Sequence, residues 1–259
     1  MFANERQNLI YEMVCKNGAV TTANLVKTFG VSIETVRRDL LSMEQNRMLK
    51  RVHGGAVANG KMKHFGTLAD RVEENNDLKR ELAEAAADFI NENDTIAIDS
   101  GSTALVFIKV LQERFTSLTI VTYSLDIFTE LCKFKDFKVI LCAGHFMKDE
   151  NTFFGSLVLE ALEKIHVQKS FVFTSAVSLK HGICDFNQDL LLLQKKLLSC
   201  SDDVFVLADS SKFESTALLK LDEMKNEYIY VTDTHLSEEL RRIYSENGIR
   251  VIAGRNKND

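Results

Sequence analysis

From Leu78 to Ile252 the chain alternates short apolar runs with amphipathic stretches, and this alternation constrains the fold more than any other feature. The runs Thr95–Asp99, Thr119–Val121, Lys138–Leu141, Ser170–Thr174, Val204–Ala208, Tyr228–Thr232 and Arg250–Ile252 have the length of buried strands. Between them, Leu78–Asn91, Thr103–Leu111, Leu125–Leu131, Leu157–Ile165, Leu190–Ser199 and Ser237–Asn247 carry apolar residues at helical spacing. Strand and helix in regular succession predict a largely parallel, Rossmann-like α/β sheet, because parallel neighbours need a crossover long enough to bring the chain back. Ligands of such sheets bind beyond the carboxyl ends of the strands.

The N-terminal part follows a different pattern. Residues 5–16 read as a helix with Leu9, Ile10, Met13 and Val14 on one face, ended by Asn17-Gly18. Thr21 or Thr22 can cap a second helix, Ala23–Phe29, with Leu25, Val26 and Phe29 inward. Gly30 supplies a tight turn and Ser32 caps a third helix from Ile33 to about residue 46, with Val36, Leu40 and Met43 buried. Two helices joined by a short turn containing Gly form a helix-turn-helix, whose second helix reads the major groove. Glu34, Thr35, Arg37 and Arg38 are then its exposed candidates, with Thr22 and Ser32 at the helix starts. One arginine can pair bidentately with guanine while the other grips phosphate. Asp39 reads as half of a structural salt bridge. Alternating residues on either side of His53-Gly54-Gly55 predict a β-hairpin wing, with Lys50, Arg51 and His53 toward the DNA backbone. The helix pattern alone equally fits a three-helix bundle with a solvated basic face.

Charge separates the two parts. Residues 1–65 hold ten Lys/Arg against five Asp/Glu, a net of +5, while the remainder holds 22 against 32, a net of −10. A basic head on an acidic body fits a small DNA-binding module joined to a domain of another kind. The length of 259 residues suits two domains, here 1–57 and 73–259 with a polar linker at 58–72. No apolar run reaches the roughly 20 residues needed to span a bilayer. The five cysteines (Cys15, Cys132, Cys142, Cys184, Cys200) are scattered, and neither they nor the six histidines show metal-ligand spacing. Together with the polar start, these features lead us to expect a cytoplasmic protein with no metal and no membrane anchor.

Arg6, Ile10, Val14 and the run Ser32-Ile33-Glu34-Thr35-Val36-Arg37-Arg38-Asp39-Leu40 resemble, in every spacing, the helix-turn-helix signature of the DeoR family of transcriptional regulators. Arg51-Val52-His53-Gly54-Gly55-Ala56 resembles the segment that follows it in that family. The resemblance extends to the family's sensor domain, similar in fold to ribose-5-phosphate isomerase and a receptor for phosphorylated sugars. It implies a winged helix-turn-helix joined to such a sensor, and a repressor that binds double-stranded operator DNA as a homo-oligomer, dimer or tetramer, with no cofactor. The matching sensor positions are Asp99-Ser100-Gly101-Ser102-Thr103, Thr122 and Ser124, Gly144, Gly182 and Asp209-Ser210-Ser211-Lys212-Phe213. The 99–103 turn follows a strand and opens a helix, where backbone N–H groups and the helix dipole favour an anion. Spacing alone favours a plain strand-to-helix turn capped by Ser102 over a binding site. Lys212 is the implied counter-charge. Departures cluster at the other end of the implied pocket: Tyr123 stands where the family has Asn, Ala143 where it has Gly, Ala104 where it has Thr, and leucines with Gln194 replace polar residues near Leu190. No GxGxxG or GxxxxGK motif is present, which disfavours a nucleotide cofactor.

Two other readings remain open at this level. An isomerase-like enzyme with an accessory head would need a general base, for which Asp99, Asp185, Asp189 and Asp209 are available. A regulator that senses a protein partner through an altered pocket would fit Tyr123 and Leu190–Leu193.

Overall fold

The computed structural model describes residues 6–7, 9–11, 13–14, 19–45, 48–52, 54–58 and 67–254. They form two compact units that divide between residues 66 and 67.

In the first unit, α1 is helical at the described positions between 6 and 14, with Ile10 and Val14 fully buried. The expected stop at Asn17-Gly18 lies outside the described residues. Strand β1 (Ala19–Thr21) leads into α2 (Thr22–Phe29), whose N-terminus is capped by the Thr21 hydroxyl accepting from Asn24 N at 3.2 Å. Gly30 ends α2 in the left-handed region (φ 62°) and its N–H returns to the Val26 carbonyl, a conformation that favours glycine. Helix α3 (Ile33–Gln45) buries Val36, Leu40 and Met43, and Ser32 caps it through Thr35 N at 3.1 Å. Strands β2 (Leu49–Val52) and β3 (Gly55–Ala58) pair antiparallel as the expected wing. Strand β1, which the sequence reading left as a lead-in, pairs with the other edge of β3. Gly55 makes this pairing possible: a Cβ there would lie 2.0 Å from the Val20 carbonyl oxygen.

The second unit opens with α4 (Leu68–Glu73), inside the segment expected to be linker 58–72. The physical reason is a capping box: Thr67 Oγ1 accepts from Asp70 N while Asp70 Oδ2 accepts from Thr67 N. Helix α5 (Asn76–Ala87) follows, then β4 (Thr95–Ile98), α6 (Ser102–Arg114), β5 (Thr119–Thr122), α7 (Leu125–Leu131) and β6 (Lys138–Leu141). A hairpin of β7 (His145–Met147) and β8 (Thr152–Phe154) precedes α8 (Ser156–Glu163) and β9 (Val167–Phe173). Strands β10 (Ala176–Ser178) and β11 (Gly182–Asp185), α9 (Gln188–Leu197), β12 (Ser201–Leu207), β13 (Leu219–Asp222), β14 (Ile229–Thr232), α10 (Glu238–Glu246) and β15 (Arg250–Ala253) complete the chain.

Seven strands form one sheet, order β15-β14-β12-β9-β4-β5-β6, and every pairing in it is parallel. Both faces are covered, as an all-parallel sheet requires. Leu82, Phe107, Leu111, Ile127 and Leu131 pack on one face, and Val158, Leu162, Leu193, Leu197 and Tyr244 on the other. A three-stranded antiparallel sheet, β10-β11-β13, is appended, with Gly182 (φ +76°) needed where a Cβ would meet the Asp222 carbonyl at 2.3 Å. The chain runs outward from β4 through β5 to β6, then returns to the other side of β4 at β9. The strand order therefore reverses between β4 and β9, and a crevice at the carboxyl ends of such a pair is where doubly wound sheets bind ligands.

Candidate functional site

Two sites emerge, one in each unit. In the first, α3 presents Glu34, Arg37 and Arg38 to solvent, while its opposite face is core. Arg37 is drawn along the helix by Glu34 at 2.9 Å, an exposed pair of little energetic weight that leaves most of the guanidinium in solvent. The Thr35 hydroxyl lies 2.9 Å from that of Ser32. Asp39 faces the other way: its carboxylate accepts from Arg6 Nε at 2.6 Å and Nη2 at 3.2 Å, and from Gln7 Nε2 at 3.2 Å. This buried pair ties α1 to α3 and fulfils the structural salt bridge expected of Asp39. Lys50 and Arg51 are exposed on β2, and Arg51 N donates to Glu44 Oε1 at 2.8 Å. Thr22 N donates to the Gly54 carbonyl at 2.8 Å, which fastens the wing turn to the start of α2. His53 lies outside the described residues. A cleft lined by Thr22, Ile33, Arg37, Arg51, Val52 and Gly54 runs between α3 and the β2–β3 wing.

In the second unit, the Asp99–Thr103 turn occupies the reversal point, since Asp99 N donates to the Phe171 carbonyl of β9 at 3.0 Å. Gly101 (φ 113°) turns the chain into α6, and no side chain caps that helix N-terminus. Cations converge on it. A Cβ on Gly101 would lie 3.9 Å from Arg71 Nη1. Arg71 is held by a buried ion pair with Glu150 and lies over the Phe186 ring, 5.3 Å from its centroid. Lys79 donates to the Arg71 carbonyl and is only 3% exposed. Burial, reinforced by the neighbouring Lys212 charge, lowers its ammonium pKa to about 8. Lys212 itself sits 3.6 Å from Asp209. Sequence reasoning supplied Lys212 and the turn but missed Arg71 and Lys79.

The floor of the crevice is a hydrogen-bond network centred on Asp99, in which Gln194 Oε1 alone among these side-chain atoms is left buried without a partner. The fully buried Asp99 carboxylate accepts from the Tyr123 hydroxyl, Gln194 Nε2 (3.0 Å), Ser100 N (2.6 Å) and Phe173 N (3.1 Å). Burial pushes its pKa up to about 6 against the pull of those donors. Gln194 also donates to Asp185 at 3.0 Å, and Asp185 accepts from Ser175 Oγ and Phe186 N. Tyr123, expected to face the effector, is therefore engaged with Asp99 and fully buried. Thr122 Oγ1 accepts from Ser124 N, Ser124 caps α7 through Ile127 N, and Gly144 lies where a Cβ would meet the Phe154 carbonyl at 2.6 Å. These three positions shape the site's frame. Among the described residues Glu81, Asp233 and His235 bring their ligand atoms within 4.8 Å of one another. Glu81 already accepts from Thr234 N and Oγ1, and Asp233 from Ser210 N and His235 N, so both carboxylates brace loops.

The model of the DeoR-like helix-turn-helix domain matches residues 6–62, and that of the DeoR C terminal sensor domain matches residues 74–234. The chain belongs to the DeoR family. It is a helix-turn-helix transcriptional regulator, and residues 6–62, which hold α2, α3 and the β2–β3 hairpin, are its DNA-binding domain. It is 31% identical to the HTH-type transcriptional regulator GolR of Listeria innocua over 97% of this chain and 98% of that protein. It is 29% identical to the L-fucose operon activator of Haemophilus influenzae (96% and 99%) and 24% identical to the HTH-type transcriptional repressor GlcR of Bacillus subtilis (97% and 96%). Ribose 5 phosphate isomerase A from Neisseria gonorrhoeae overlays 54% of this chain and 54% of its own with a TM-score of 0.40 at 22% identity, an overlap too loose to bear on function. No helix among the described residues is long and apolar enough to cross a membrane.

Proposed function

We propose that this DeoR-family regulator is a repressor of a sugar or polyol operon whose hold on its operator is changed by a phosphorylated sugar bound at the β4–β9 crevice. The observation that carries this reading is Lys79: a lysine buried to 3% exposure, within the field of Lys212 and of Arg71, whose guanidinium borders the uncapped N-terminus of α6. Asp209 and Glu74 offset only part of the positive charge around this buried ammonium, and a phosphate would add counter-charge while accepting from the Gly101–Thr103 backbone. Asp99, Ser100, Gly101, Ser102, Thr103 and Lys212, with Arg71 and Lys79 added, form the phosphate end. Thr122, Tyr123, Ser124 and Gly144 shape the sugar end. The L-fucose operon activator of Haemophilus influenzae is among the relatives, and its name supports a sugar-derived effector.

A regulator fits the geometry better than an enzyme. Of the carboxylates weighed as a general base, Asp99 already accepts four hydrogen bonds, Asp185 and Asp209 are buried and hydrogen-bonded, and Asp189 is exposed in the first turn of α9. The head binds DNA as a homo-oligomer, dimer or tetramer, so that related heads read paired half-sites. The experiment titrates a protein–operator complex with pentose, hexose and polyol phosphates while following fluorescence anisotropy, alongside thermal shifts. One of these should change operator affinity and raise the sensor's melting temperature, and Lys79→Met should abolish both effects. A protein that binds operator but responds to none of the panel would overturn the effector assignment.

A further inference from the structure

The recognition helix opens on a side chain that phosphate gripping and guanine pairing do not use. Ile33 is the first residue of α3, and 46% of its surface is exposed. It stands outside the head's apolar core, which is built from Ile10, Val14, Leu25, Val36, Leu40 and Met43 among others. Its polar neighbours on the same turn are engaged with one another: Ser32 with Thr35 at 2.9 Å, and Glu34 with Arg37 at 2.9 Å. Ile33 lines the cleft shared by Arg37, Arg51 and Val52. A branched apolar group thus stands at the front of the reading helix, flanked by cations that a polyanion would neutralise.

The major-groove edges of the bases offer one apolar group, the C5 methyl of thymine; the remainder are hydrogen-bond donors and acceptors. Residues at the N-terminus of a recognition helix are the ones that reach base edges. We propose that Ile33 is a specificity-determining residue that packs against a thymine methyl and selects a T·A pair at one position of the sequence each head reads. The arginines in the same cleft favour DNA over a protein partner as the occupant. The inference rests on the DNA-reading role of the head and adds the chemistry of one contact to it.

The full-length protein is used to select binding duplexes from a random-sequence pool. Each thymine of the selected sequence is then replaced by deoxyuridine, which removes the methyl and leaves base pairing intact. At one thymine position the wild type should bind the deoxyuridine duplex about fourfold more weakly, the effect of one buried methyl contact. Ile33→Ala should bind the thymine duplex about as weakly and lose discrimination between the two at that position alone. Ile33→Val, which keeps a branched apolar side chain, should retain most of it. Methyl discrimination that survives in Ile33→Ala, or its absence at every thymine for the wild type, would overturn the inference while leaving DNA recognition intact. A pool that yields no enriched sequence would overturn sequence-specific reading itself, and the Ile33 contact with it.

Discussion

Replacing Asp39 with alanine tests how the DNA-binding head is held together. Asp39 and Arg6 have side chains 5% and 8% exposed, and their two parallel contacts at 2.6 and 3.2 Å join α1 to α3 across 33 residues. Removing one partner of a buried ion pair costs about 3–5 kcal/mol, because the other is left charged, dry and unpaired. The head is small and its interior thin, so the lower end of that range applies. A unit of about 60 residues has a total stability of roughly 3–9 kcal/mol at typical per-residue values. Asp39→Ala should therefore bring the head close to unfolding at 25 °C while the parallel sheet of the second unit stays intact. Hydrogen exchange followed by mass spectrometry reads the two units separately: amides of α2, α3 and β3 should lose protection, those of β4, β9 and β12 should keep it, and operator binding should fall with the head's protection. Arg6→Met combined with Asp39→Leu should restore most of the stability, since a buried pair replaced by apolar groups of similar size is near neutral. An Asp39→Ala head that loses less than about 0.5 kcal/mol, the range of ordinary surface substitutions, would refute the reasoning.

Three further outcomes follow from the geometry. Gly55→Ala places a Cβ 2.0 Å from the Val20 carbonyl and should part β1 from β3 at about 1–3 kcal/mol, seen as weakened operator binding with unchanged melting of the sensor. Lys79 titrates near 8 in the folded protein, below its ordinary 10.5, so the unfolded chain binds more protons between those values and the contribution of Lys79 to stability rises with pH across that window. A bound phosphate should hold Lys79 charged: calorimetry above pH 8 in buffers of different ionisation enthalpy should show proton uptake on effector binding, which disappears in Lys79→Met. Tyr123→Phe removes a donor from the Asp99 carboxylate and should destabilise the sensor by about 1.5–3 kcal/mol at pH 7. Because Asp99 is protonated below its folded pKa of about 6, that penalty should shrink in urea melts at pH 5, and an equal penalty at both pH values would contradict the network.

The parallel sheet was legible because each of its strands is an apolar run, and all but the β12–β14 pair are separated in sequence by a helix; all seven runs read from the sequence fall on strands of the one sheet. The strands that went unread are short and of mixed character. Ala176–Ser178 and Gly182–Asp185 form a tight hairpin, and β11 pairs further with the distant β13, so their identity as strands comes from pairing rather than from an apolar period. Helix α4 was hidden for a different reason: it spans six residues, too few to show periodicity, and only the Thr67-x-x-Asp70 cap announces it. Asp39 was legible as structural because a carboxylate beside Val36, Leu40 and Met43 on one helix face has to be paired.

The same logic would have found Lys79. In α5 its position falls on the stripe of Leu82, Ala83 and Ala86, at spacings of three, four and seven, all of which are fully buried. A lysine on the apolar stripe of an amphipathic helix either reaches back to solvent along its stem or is held for a charge that arrives from elsewhere. Its neighbours decide between these: Arg71 comes from α4, Lys212 from the loop after β12, and the uncapped turn from the end of β4. These elements lie up to 141 residues apart in sequence and meet because the strand order reverses between β4 and β9. The residues expected to read DNA form a compact signature, since a helix and its wing are local. The proposed anion site is assembled by topology, and within their own segments Arg71 and Lys212 are indistinguishable from surface charge.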